Sequence, residues 1–115
     1  MSFSELEYKR IEKRVDAFIE TRRPPPAIRD QLDLGFRLQG QSVELFEIRP
    51  VWDNPDQKQE FHFAKATYVK TQNIWKVYWM RADLKWHSYP ATPTVKTLDA
   101  FLAVVAEDKH ACFFG

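Results

Sequence analysis

Residues 31–52, QLDLGFRLQGQSVELFEIRPVW, decide the fold. Leu32, Leu34, Phe36 and Leu38 alternate with Asp33, Gly35, Arg37 and Gln39, the two-residue period of a strand with one face buried. Gly40 and Gln41 then supply a two-residue turn, and Ser42 to Trp52 forms the second strand of a hairpin. Pro50 marks where regular pairing should stop, because proline cannot donate to a ladder.

Before this hairpin the period is helical. Ser4 and Glu7 form a capping box, and Tyr8, Ile11, Val15, Phe18 and Ile19 recur on one face. The run Pro24, Pro25, Pro26 ends the helix. After the hairpin, Asp53 to Lys58 reads as a polar loop and about Gln59 to Lys70 as a third strand. Thr71, Gln72 and Asn73 turn the chain into a fourth strand, Ile74 to Arg81, and a short aromatic strand, Trp86 to Tyr89, follows a tight connection. Pro90 and Pro93 close the sheet in this reading. Thr97 caps a last helix with Leu98, Phe101, Leu102 and Val105 buried, and residues 111–115 read as an apolar tail that docks on the body.

Connections this short exclude parallel strands, which need crossovers of a dozen or more residues. The expected fold is therefore a single α+β domain over residues 1–115. It has an N-terminal helix, an antiparallel meander of four or five strands, and a C-terminal helix, with both helices on one sheet face.

Composition narrows the classes. The 115 residues carry 44% hydrophobic and 15% aromatic side chains, enough for one core. The single cysteine, Cys112, cannot form an internal disulfide, so a reducing, cytoplasmic compartment is expected. No apolar run approaches membrane-spanning length, no export signal is visible, and no zinc spacing or glycine-rich phosphate loop is present; no cofactor is expected. The net charge of +1 conceals a basic segment, residues 61–96, with six basic groups and one acidic. That segment either attracts anions or simply blunts sheet edges against aggregation.

Three functional readings follow. In the fourth strand Trp75, Val77, Trp79 and Arg81 face one way and Ile74, Lys76, Tyr78 and Met80 the other, so the face without helices must meet a curled sheet, a second copy or a ligand. The leading reading is a non-catalytic binding or protein-interaction domain, homodimeric, with a candidate surface of Glu47, Arg49, Trp79, Arg81, Asp83 and Trp86. There an arginine grips an anionic group of a protein or small ligand, Glu47 and Asp83 orient the arginines, and the indoles supply area; a purely structural ion-pair network is the alternative for the same charges. A second reading is a single-stranded nucleic-acid module using Lys65, Tyr68, Lys70, Trp75, Lys76 and Lys85, since rings stack on bases while cations hold phosphates. The third, a metal-dependent nuclease or hydrolase on Asp33, Glu44, Glu47 and Lys65, lacks a lysine two residues after Glu47, where Arg49 stands. His62 and His87 have no nucleophile at a motif distance and read as structural.

The stretches WKVYWMRADLKWHSY at 75–89, SVELFEIRPVW at 42–52 and the closing CFFG together resemble a bacterial family of small proteins, domain of unknown function 3024. The resemblance covers almost the whole chain. It implies a bacterial cytoplasmic home and carriage in mobile gene cassettes, and it brings no site residues with it.

Overall fold

The structure, a computed structural model, describes residues 3–108. The apolar tail expected at residues 111–115, with Cys112, lies outside the described residues, as does His110.

Helix α1 (Glu5–Arg22) starts where Ser4 and Glu7 cap each other: the Ser4 hydroxyl accepts from the Glu7 amide at 3.2 Å, and Glu7 Oε1 accepts from the Ser4 amide at 3.1 Å. Its C-cap, Arg23, is extended, as required of a residue that precedes proline. Strands β1 (Asp33–Gln39) and β2 (Ser42–Val51) form the expected hairpin, with Gly40 at φ +61° supplying the left-handed turn residue. Strands β3 (Asn54–Val69), β4 (Ile74–Met80), β5 (Trp86–Ser88) and β6 (Thr94–Val95) follow, then helix α2 (Leu98–Glu107). All pairings are antiparallel, in the order β1-β2-β3-β4-β5, with β6 also against β4.

Two expectations about the strands are corrected. Residues 54–58 are strand, not loop: β3 begins at Asn54, directly after the Trp52–Asp53 turn, and pairs with β2 across Pro50↔Lys58 and Val51↔Asn54 with an irregularity at Pro50. This stretch lies beyond the reach of β1 and β4, so neither of its faces is buried and no two-residue hydrophobic period marks it. Nor does the sheet close at Pro90 and Pro93. The chain detours there and returns to the same edge of β4 as β6, which at two residues is too short to show a period.

Both helices cover one face of the sheet. Ile11, Val15 and Ile19 of α1 and Phe101, Leu102 and Val105 of α2 pack with Val43, Leu45, Ala64, Ala66, Trp75 and Val77 in one cluster. Tyr8, the remaining outer member of the expected helical stripe, is exposed. A bulge fixes this face: Leu45 opposes Ala64 and Phe46 opposes His62, so Phe63 is the extra residue on β3, and it joins the core beside Ala64. The two helices run in the same direction, held by Arg14 to Asp99 at 2.8 and 3.0 Å and by Arg22 donating to the Ala106 carbonyl at 2.9 Å. Each fully buried valine, leucine or phenylalanine contributes roughly 1.5–3 kcal/mol, and this cluster, not the surface pairs, holds the layers together. No described helix is long and apolar enough to cross a membrane.

One pair ties the end of α1 to the start of the sheet. Arg23 Nε and Nη2 donate to the two carboxylate oxygens of Asp33, each at 2.8 Å, in a fork whose members are mostly buried. The guanidinium holds the Asp33 carboxyl below the usual carboxylate range, and Asp33 holds the Arg23 guanidinium more firmly protonated than usual. A depressed carboxyl pKa stabilises the fold fully above the ordinary range of about 4 and progressively less as pH falls through the lowered value. Asp33→Asn should therefore lower unfolding free energy at pH 7 by about 1–2 kcal/mol. That gap should narrow toward pH 3, as measured by urea denaturation of both proteins across pH. The β4–β5 turn holds a second local test, because Leu84 sits at φ +62° where glycine is at home. Leu84→Gly should raise stability by about 1 kcal/mol in the same assay.

Candidate functional site: the helix-free sheet face

The face turned away from the helices is set by strand alternation. β1 contributes Gly35 and Arg37, β2 contributes Glu44, Phe46 and Ile48, β3 contributes Glu60, His62, Lys65 and Thr67, and β4 and β5 contribute Tyr78, Met80 and Trp86. At its centre Phe46 is only 5% exposed although no helix covers it. Its ring lies on Gly35, where a Cβ would come within 2.7 Å of ring carbon Cε1. Glycine is needed at residue 35 for this close approach, not for its backbone freedom.

Charged side chains roof the ring. The Arg37 guanidinium stands 5.3 Å from the Phe46 centroid and donates to Glu60 Oε2 at 3.0 Å. The His62 ring packs at 4.9 Å against Phe46 and meets Trp86 edge-on at 6.5 Å and 84°. Its Nε2 lies 3.4 Å from Glu60, and its Nδ1 lies 3.1 Å from Glu44. The Nδ1 atom is buried and has no hydrogen-bond partner of acceptable geometry, so the contact with Glu44 is one of proximity, not a directed hydrogen bond. Beside this group the Lys65 ammonium sits 5.4 Å from the Tyr78 ring and 5.5 Å from the Trp86 ring. Lys65 makes no ion pair among the described residues, whereas Arg37, Glu44, Glu60 and His62 are all engaged with one another.

The binding surface expected from sequence is divided by this geometry. Glu47 and Arg49 remain on the helix side, paired to each other at 3.1 Å. Trp79 packs against the helix-side core with Arg81 stacked 5.6 Å above its ring. Asp83 caps its own turn through the Lys85 amide at 3.0 Å and lies 2.8 Å from His87 Nε2, a contact that holds the Asp83 carboxyl below its usual range. Trp86 alone of the six is on the helix-free face. Glu47, Arg49, Arg81 and Asp83 thus form separate local contacts, not one network.

The nucleic-acid set divides as well. Trp75 is 6% exposed in the core, and Tyr68 packs on it at 5.2 Å while donating to Asn73 Oδ1 at 2.6 Å. Phe3 closes over both rings, 6.1 Å from that of Tyr68 and 5.7 Å from that of Trp75. These rings are engaged in packing, leaving Lys65 and Lys76 on the helix-free face and Lys70 and Lys85 in turns. Of the proposed nuclease residues, Glu44 and Lys65 oppose each other across β2 and β3, but Asp33 is gripped by Arg23 and Glu47 lies on the other face. Among the described residues no three of His, Cys, Asp and Glu are placed to hold a metal ion.

The two candidate sets expected from sequence hold Lys65 and Trp86 apart and contain none of Arg37, Phe46 and Glu60. Tyr78 was already assigned to this side by alternation, but its meeting with Lys65 depends on the β3–β4 register.

A small α+β domain is thus defined, with two helices on one side of an antiparallel sheet and a roofed aromatic and ionic patch on the other. The chain belongs to the family described as a domain of unknown function (DUF3024), whose match spans residues 3–115. No curated protein and no solved structure matches it.

The packing of Phe46 on Gly35 makes the patch testable without a ligand. Gly35→Ala must push the ring and the His62 above it outward, and overpacking of this kind costs typically 1–3 kcal/mol. The measurement is a lowered urea midpoint together with a displaced His62 ring resonance in NMR.

Proposed function

We propose that this protein is a non-catalytic binding domain that recognises an anionic group on a protein or small ligand through Lys65, with Tyr78 and Trp86 as its flat contact surface. The observation that supports this reading most is the placement of the Lys65 ammonium between two rings, without a carboxylate partner among the described residues, beside neighbours that are already paired. An ammonium held this way is positioned by the rings yet keeps its charge for a ligand, and the rings offer area to whatever carries that charge. The protein works as a homodimer in the bacterial cytoplasm. The lone cysteine in the sequence supports that compartment, and a bacterial origin with carriage in mobile gene cassettes is what the resemblance drawn from the sequence implies.

The test is an NMR titration with phenyl phosphate, which presents an anion on a ring. Resonances of Lys65, Tyr78 and Trp86 should shift together, and Lys65→Ala should weaken binding about tenfold or more while leaving the far-UV spectrum intact. Spectra unchanged by millimolar phenyl phosphate would remove the reading. Tight retention of single-stranded RNA at low salt, lost steeply as salt rises, would transfer the face to nucleic acid instead.

A further inference from the structure

The last β1–β2 pair is Asp33↔Ile48, and the β3–β4 ladder ends at Ala64↔Trp79. Beyond them residues 49–59 run on as a ribbon of two strands, with both long edges unpaired in the sheet. The Lys58 ammonium donates to the Asp30 carbonyl near its base. A two-stranded ribbon in water is marginal by itself and gains little from its polar side chains. At its tip stands Trp52, 91% exposed, the most exposed large hydrophobic side chain among the described residues.

At the base of the same ribbon, on the helix side, lies a hollow of about 180 Å³ lined by Pro24, Leu32, Leu34, Arg22 and Glu47. Phe61, the cross-strand partner of Glu47, is 44% exposed beside it. The floor is apolar. The Glu47 carboxylate, although it holds Arg49, retains acceptor capacity for an indole N–H.

We propose that the ribbon is an arm that docks onto a second copy of this chain, the Trp52 of each copy seated in the hollow at the base of the other's ribbon. This inference rests on the homodimeric reading given above and locates its contact. Two features select a second copy as the occupant. The free ribbon carries Arg49 and Lys58 against Asp53 and Asp56, so two ribbons meet without net repulsion, whereas a nucleic acid or an anionic membrane would call for an excess of cations. Glu47 and Trp52 are five residues apart, roughly 16 Å of strand, so two ribbons laid antiparallel across a two-fold axis bring each tip to the other's base. The exchange is reciprocal, which closes the assembly at two copies. Two indoles supply on the order of 400 Å² of the roughly 1,600 Å² in a standard interface, and the paired ribbons extend it.

Sedimentation velocity on the full chain tests the proposal. The expected result is a dimer at micromolar concentration, with self-association weakened about 30-fold or more by Trp52→Glu at one end of the contact and by Leu32→Glu at the other. Oxidative footprinting of the unaltered chain gives a second readout that needs no variant: Trp52 should be protected in the dimer. A chain that stays monomeric to high concentration would overturn both this inference and the homodimer. A dimer undisturbed by Trp52→Glu, or one whose Trp52 oxidises freely, would overturn the ribbon contact and leave the homodimer standing. Loss of dimer with Trp52→Glu but not with folded Leu32→Glu would reject the hollow as the seat. The phenyl phosphate titration is independent of all of these outcomes.

Discussion

The pairing of β2 with β3, and the one-residue bulge within it, sets both faces of this molecule. Because side chains alternate with a period of two, a single extra residue redirects everything beyond it. With Phe63 as that residue, Phe63 and Ala64 join the helix-side core while His62 and Glu60 are delivered to the opposite face, where Phe46 and Arg37 await them. A strictly alternating β3 would send His62 and Glu60 toward the helices, placing ionisable groups against an apolar layer. The core and the patch therefore share one cause.

The patch also shows how a sheet with rings on both sides can leave one side without a helix. Phe46 is shielded by the stems and head groups of its neighbours, Arg37 paired with Glu60 over the ring and His62 packed against it, so apolar area is removed from water without any added element. Arg37, Glu44, Glu60 and His62 form the structural part of this roof. Lys65, Tyr78 and Trp86, at its margin, are the part whose interactions leave something unspent.

Much of the fold was legible because local chemistry and burial agreed. The Ser4–Glu7 box, the proline run, the Leu32–Leu38 alternation and the Gly40 turn each gave a signal that tertiary packing did not override. The free ribbon at residues 54–58 was missed because hydrophobic alternation reports a buried face and this segment has none. The site was only partly legible. Lys65 and Trp86 could be picked out as residue types, but their meeting depends on the β3–β4 and β4–β5 registers, and the presence of His62 beside them depends on a bulge, neither of which leaves a mark in sequence. Glu47 and Arg81 do share the helix side, as alternation implies, but they stand on β2 and at the end of β4 with β3 between them, and each is held by a neighbour of its own.

The two helices are joined to each other by contacts between residues more than 80 positions apart, Arg14 with Asp99 and Arg22 with Ala106. During synthesis on the ribosome α1 emerges first, with its apolar stripe bare, and must wait for nearly all of the sheet and then α2 before that stripe is fully enclosed. Long-range closure of this kind slows folding and delays enclosure of the stripe until α2 is in place. Strong end-capping by Ser4 and Glu7 gives the waiting helix a local hold of its own in that interval.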